Sequence, residues 1–80
     1  MSEYDIIRII VDAIEEHNYH DSYGIYHVSN CIIVSMISHN NSITELMSIN
    51  EIVLCYDPKH RIWSTISNMI NKLRGGIVND

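Results

Sequence analysis

Apolar and polar positions alternate at helical spacing near the start of the chain. The apolar residues between 6 and 14 leave a polar stripe on one side, formed by Asp5, Arg8, Asp12, Glu15 and Glu16. Ser2 is a suitable N-cap, and Asp5 stands three residues later, in the position of a weak capping box. The pattern predicts a helix from Ser2 to about His17 whose apolar face is wide.

A second helical pattern follows the only proline of the chain. Asp57 can cap a helix, and Pro58 suits its first position because it loses no hydrogen bond there. Apolar residues then recur at helical spacing: Ile62, Ile66, Met69, Ile70 and Leu73, with Trp63 widening the stripe. Gly75 is placed to end this helix. A hairpin with residues 57–60 as its turn and 61–66 as a returning strand is the alternative.

The middle of the chain has the shorter periodicity of strands. Residues 25–28 and the apolar run 31–37 read as two strands joined at Ser29-Asn30, and 38–41 form the next turn. Residues 42–50 fit either a short helix, since Ser42 and Glu45 match a capping box, or a third strand, which we favour for part of the segment.

The run from Glu51 to Tyr56 is apolar, β-branched and aromatic, which favours a strand covered on both faces. On this interpretation Cys55 and Trp63 belong to the core, and Leu54→Asp is expected to abolish folding or assembly.

These elements predict a small α+β two-layer sandwich: a helix, three or four mostly antiparallel strands, and a helix. Residues 1–76 are expected to form one domain, with 77–80 as a C-terminal tail. Either the two helices lie on opposite faces of the sheet, or both cover one face and the other apolar face needs a partner as its cover, which we favour. We expect that cover to be a second copy of the chain in a two-fold dimer.

Composition and charge exclude several classes of protein. The net charge of −5, with only five Lys and Arg, argues against direct nucleic-acid binding, which requires a basic patch. Neither a signal peptide nor an apolar run of the ~20 residues that span a bilayer is visible, so a cytoplasmic location without membrane contact is expected. Sixteen Ile and eight Asn residues suggest an AT-rich genome, such as that of a virus or phage.

The chain offers little catalytic chemistry, and we expect no enzyme, no catalytic residue and no cofactor. Cys31 and Cys55 both lie in apolar runs and read as free, buried thiols, where thiolate formation is disfavoured. Weak candidates for a zinc site lie within fifteen residues: His17, His20, His27 and Cys31. Their spacing matches no recognised zinc motif, so solvated histidines are favoured and no metal is expected.

Two surfaces are candidates for binding. The first is an aromatic and polar cluster around two loops, formed by Tyr19, His20, Tyr23, Tyr26, His27, His39 and Asn40. The second is the acidic face of the first helix, with Asp5, Asp12, Glu15 and Glu16. Packing on the sheet edge and ordinary solvation of a helix are the competing explanations.

The sequence therefore favours a small non-enzymatic protein-interaction module, one that could belong to a virus or phage and inhibit or modulate a host factor. The alternative is a dimer that binds or sequesters a nucleotide-like small ligand, which the scarcity of Lys and Arg weighs against. A third hypothesis is an acidic mimic of nucleic acid.

Overall fold

The computed structural model describes residues 2–76, so the predicted tail 77–80 lies outside the described residues. Helix α1 spans Glu3–Glu16. The predicted capping box is confirmed: the Ser2 hydroxyl accepts the Asp5 N–H at 3.3 Å, and the Asp5 carboxylate accepts the Ser2 N–H at 3.0 Å. Both bonds satisfy backbone N–H groups that would otherwise have no partner at the start of the helix.

Three antiparallel strands follow in the order β1-β2-β3. Strand β1 spans Ser22–Val28, β2 spans Cys31–Ser38 and β3 spans Asn41–Ser48. Most of the ambiguous segment 42–50 is therefore a strand. Two-residue turns join the strands. Their first residues, Ser29 and His39, have φ of 57° and 56°, in the left-handed region.

The predicted strand from Glu51 to Tyr56 is wrong, because the chain forms a short helix, α2, over Ile49–Leu54. Ser48 caps α2 by accepting the Glu51 N–H at 3.4 Å, and the sequence Ser48-x-x-Glu51 is itself the start signal of a helix. Among the apolar residues of α2 only Ile52 is buried, whereas Leu54 and Tyr56 are exposed. The buried position of Leu54 from which the effect of Leu54→Asp on folding or assembly was predicted is therefore also wrong.

Helix α3 spans Pro58–Asn71, which confirms the helix and excludes the hairpin. Asp57 is its N-cap and accepts the His60 N–H at 3.2 Å. All five residues of the predicted stripe are buried: Ile62, Ile66, Met69, Ile70 and Leu73. A wider, π-type turn over Lys72–Gly76 follows, in which Gly75 has a φ of 118° that only glycine adopts readily.

The α+β class is confirmed, with both long helices on one face of the sheet. Ile6, Ile10 and Ile14 of α1 pack with the stripe of α3 and with Ile32 and Val34 of β2 in one buried cluster. The inner positions of β2 are thus buried under the helices, whereas Tyr23 and His27 on the inner side of β1 remain exposed. No helix packs on the outer face of the sheet within the described residues. Within residues 2–76, no helix has the length and apolar character needed to cross a bilayer.

Candidate functional site

The predicted aromatic and polar cluster is distributed over three places. Tyr19, His20 and His39 line one depression of about 380 Å³ between α1, the hairpin ends and the turn after α3. Tyr23 and His27 lie on the inner side of β1, and Tyr26 lies on the outer side, because side chains alternate along a strand. The cluster is therefore not one continuous surface.

Tyr19 is a structural residue of this depression. Its side chain is buried, and its hydroxyl lies 2.7 Å from the Ser22 carbonyl oxygen and 3.0 Å from that of Ile37, to which it donates. Burial, followed by the negative charge of Asp21, raises the pKa of the Tyr19 hydroxyl. Tyr19 thus stays protonated at neutral pH and ties the end of the β1–β2 ladder to the loop after α1.

Three other polar side chains of the depression, those of Asp21, Ser38 and Arg74, also form hydrogen bonds. The Asp21 carboxylate accepts the Ser38 hydroxyl at 2.6 Å. Arg74 donates to the carbonyl oxygens of His17 and Asn18, at 3.0 and 3.1 Å, and so caps the end of α1. A guanidinium with these partners serves the structure, which leaves it less available to an anionic ligand.

The acidic face of α1 is divided between two roles. Asp5 belongs to the capping box, where the Ser2 backbone N–H lowers the pKa of its carboxyl. Asp12 and Glu16 line a groove of about 360 Å³ between α1 and α3, and Glu15 is exposed outside that groove.

The α1–α3 groove holds residues that the sequence did not single out for binding. Trp63 of α3 is 41% exposed, so the prediction that it belongs to the core is wrong. Its indole N–H donates to Glu16 Oε1 at 3.0 Å, and its ring lies 4.6 Å from that of His17 and 6.5 Å from that of His60. Asp57 and Lys59 complete the polar rim, and Ile9 and Ala13 form the floor.

One sequence signal could have indicated the groove. Trp63 directly follows Ile62, so the two residues are about 100° apart around the helix axis. Trp63 therefore lies at the margin of the buried stripe of α3. A large aromatic residue at such a margin contacts both the core and solvent, which is where tryptophan takes part in binding.

The weak metal candidates do not converge. The His17 ring lies 4.6 Å from the Trp63 ring in a tilted arrangement, His20 is exposed in the loop before β1, His27 is exposed within β1, and Cys31 begins β2. Among residues 2–76, no three His, Cys, Asp or Glu side chains form a group that could hold a metal ion. Both cysteines are free, as predicted, but they are half-buried rather than buried.

The outer face of the sheet is the second surface without a cover. The central row across the three strands is Tyr26, Ile33 and Leu46, which are direct cross-strand neighbours. Tyr26 is 56% and Leu46 61% exposed. The Tyr26 ring also lies over Gly24, since a Cβ there would stand 2.6 Å from the Tyr26 hydroxyl oxygen. Glycine thus lets the ring lie flat on the sheet.

Comparisons with protein-family models, with curated proteins and with solved structures find no significant match to this chain.

Proposed function

We propose that this protein is a non-enzymatic interaction module that acts as a homodimer, with its two sheets face to face, and binds another protein through its helical layer. The observation that carries the proposal is an apolar row on the sheet face opposite the helices, in which the half-buried Ile33 lies between the exposed Tyr26 and Leu46. Exposed apolar rows on a regular surface are typical of interaction sites.

The charge of the outer face favours a second copy as its cover. Its twelve positions carry no charged side chain: Ser22, Gly24, Tyr26, Val28, Cys31, Ile33, Ser35, Ile37, Ser42, Thr44, Leu46 and Ser48. The chain as a whole has a net charge of −5, so two copies repel each other elsewhere. An uncharged face is the surface on which such a chain can meet itself, and a two-fold axis makes it self-complementary.

The size of the face predicts weak association. Three strands spaced ~4.8 Å apart and eight residues rising ~3.4 Å each give a projected area of about 400 Å² per copy. Protruding side chains add to this, so the pair would bury about 1,000 Å², at the lower end of specific interfaces. We therefore expect a dissociation constant in the micromolar range and an equilibrium between monomer and dimer.

The test compares two leucines that are both exposed but lie on different surfaces. Leu46→Glu places a charge in the central row, and Leu54→Glu makes the same change at the end of α2. Sedimentation equilibrium from 5 to 500 µM should show the wild type and Leu54→Glu approaching twice the chain mass of 9.3 kDa. Leu46→Glu should remain a folded monomer, with its folding checked by circular dichroism.

Two results would contradict the proposal. One is a wild-type protein that stays at 9.3 kDa up to 500 µM. The other is a Leu46→Glu variant that associates as the wild type does, which would place the contact at a sheet edge or on the helices.

The alternative hypotheses receive less support. A nucleotide-like ligand would need a free cation, and the Arg74 guanidinium in the depression near Tyr19 already donates to two backbone carbonyls. A mimic of nucleic acid would need a continuous acidic face, and Asp5 is committed to the helix cap. Two free, half-buried thiols suit the reducing cytoplasm that we propose as the location. An origin in a virus or phage, with a host protein as partner, rests on the composition alone.

A further inference from the structure

We propose that the α1–α3 groove binds an arginine side chain of a partner protein, with the guanidinium on the face of Trp63 and against the carboxylates of Glu16 and Asp12. The inference rests on the proposed function only in taking the ligand to be a segment of another protein. It is independent of the dimer, because the groove lies in the helical layer.

The geometry of Trp63 is the first argument. The indole is half exposed on the wall of a groove of about 360 Å³, and its N–H is held by Glu16 Oε1 at 3.0 Å. That bond fixes the orientation of the ring before any ligand arrives. The His17 ring lies 4.6 Å away outside the groove lining, and the nearly parallel His60 ring lies 6.5 Å away on the groove wall, so the guanidinium would use the part of the indole face that lines the groove beside His60. Tryptophan is the side chain with the strongest attraction for a cation over its ring.

The charge of the groove is the second argument. Three carboxylates line it, those of Asp12, Glu16 and Asp57, against the single ammonium of Lys59. Asp57 uses Oδ1 to cap α3. Glu16 accepts one N–H from Trp63 but, as a carboxylate, retains further acceptor sites, so Glu16 and Asp12 are the groups available to a cation.

The shape of the ligand follows from this combination of a flat ring beside carboxylates. A guanidinium is planar, stacks on an aromatic face and donates two parallel hydrogen bonds to a carboxylate. An ammonium is a strongly hydrated point charge that forms only part of these contacts. The groove therefore favours arginine over lysine, and its carboxylates disfavour acidic segments.

The chain supplies its own reporter for a binding experiment. Trp63 is the only tryptophan, so a single indole N–H signal in an NMR spectrum reports on the groove. The probe is tetra-arginine amide in 150 mM salt at pH 7.5, with tetra-lysine and tetra-glutamate amides as comparisons. We expect tetra-arginine to shift the indole signal saturably, with a dissociation constant on the order of 0.1–1 mM. Tetra-lysine should bind several-fold more weakly, and tetra-glutamate should leave the signal unchanged.

Neighbouring glutamates provide a matched pair of variants. Glu16→Gln removes a charge from the groove but keeps an oxygen that can accept the Trp63 N–H, and Glu15→Gln removes the same charge outside the groove. We expect Glu16→Gln to weaken tetra-arginine binding roughly tenfold and Glu15→Gln by less than twofold. Trp63→Leu, followed by the backbone amide signals of α1, should weaken it by a similar factor to Glu16→Gln.

The outcomes separate this site from the dimer. Leu46→Glu, which should be monomeric, is expected to bind tetra-arginine as the wild type does. An indole signal that does not move at 5 mM peptide would overturn the arginine site whatever the oligomeric state. Equal losses in Glu15→Gln and Glu16→Gln would also overturn it, because they would show general attraction to an acidic protein.

Discussion

Ile52 and Leu54 lie on opposite sides of helix α2, although only one residue separates them. The Ile52 side chain is 2% exposed and packs in the core, whereas that of Leu54 is 85% exposed. A separation of two residues corresponds to about 200° around a helix axis. In the strand that the sequence suggested, these two residues would have shared one face.

This relationship predicts opposite effects for two substitutions in one short helix. Leu54→Asp should change the free energy of unfolding by no more than about 0.5 kcal/mol, because the side chain contacts solvent. Ile52→Ala should lower it by about 2–4 kcal/mol, through lost apolar burial and the cavity left behind. Urea denaturation at pH 7 measures both, and a Leu54→Asp variant as unstable as Ile52→Ala would contradict the helix.

Tyr19→Phe should lower the free energy of unfolding by about 1–2 kcal/mol at pH 7. The substitution removes the hydroxyl that donates to the carbonyls of Ser22 and Ile37, and these carbonyls then lose a partner near the core. Tyr23→Phe is the matched control, since Tyr23 is exposed although its ring lies only 6.4 Å from that of Tyr19. Equal unfolding midpoints in urea for the two variants would contradict a structural role of the Tyr19 hydroxyl.

The same hydroxyl predicts a loss of stability in alkali. Burial raises the pKa of Tyr19 in the folded protein above its ordinary value of 10.0, so the unfolded chain releases this proton first. The stabilisation is complete below pH 10 and is lost as the pH rises through the folded-state pKa. Urea denaturation at pH 8 and pH 10.5 should therefore show a smaller decrease for Tyr19→Phe than for the wild type. An identical decrease would show that Tyr19 does not titrate differently on folding.

The capping box of α1 predicts the opposite dependence in acid. The Ser2 backbone N–H lowers the pKa of Asp5 below its ordinary value of 3.8, so the charged carboxylate stabilises the folded state above that pH. The contribution is lost as the pH falls through the folded-state pKa. Asp5→Asn should thus be less stable than the wild type at pH 7 and equally stable near pH 2. Glu15→Gln removes the same charge at the other end of α1 and should not show this convergence.

The parts of the fold that the sequence predicted correctly are those in which local signals agree with burial. In α1 and α3 the capping residues, the apolar stripe and the final Gly75 all indicate a helix, and the chain forms both. For residues 51–56, β-branched and aromatic residues suggested a strand, but the Ser48 cap and the burial of Ile52 on the core determine the structure. Propensity is a weak guide where a cap and tertiary packing oppose it.

The candidate site was less predictable for a geometric reason. The acidic residues Asp12 and Glu16 could be placed on one helix face from spacing alone. Their proximity to Trp63 depends on how α1 packs against α3, since Glu16 and Trp63 are 47 positions apart in the sequence. The aromatic residues do not form one surface, because successive side chains of β1 point to opposite faces and Tyr23 and Tyr26 therefore lie on different sides of the sheet.

The two cysteines offer an independent measurement of the proposed dimer. Cys31 lies on the outer face between Val28 and Ser48, and Cys55 lies at the end of α2. Face-to-face association should therefore protect Cys31 from iodoacetamide and leave Cys55 as reactive as in the monomer. At a concentration ten times the dissociation constant only about a fifth of the chains are monomers, so alkylation of Cys31 should slow by about fivefold.

Mass spectrometry of the digested protein reads the two rates in one sample, with Cys55 as the internal control. In Leu46→Glu the rate at Cys31 should not depend on protein concentration. Slowing at Cys55 and not at Cys31 would place the contact on the corner between α2 and α3, and the uncharged face would then not be the interface. A sheet-to-sheet dimer requires that alkylation slows at Cys31 alone and that this slowing disappears in Leu46→Glu. Only that arrangement covers Cys31 and Leu46 together.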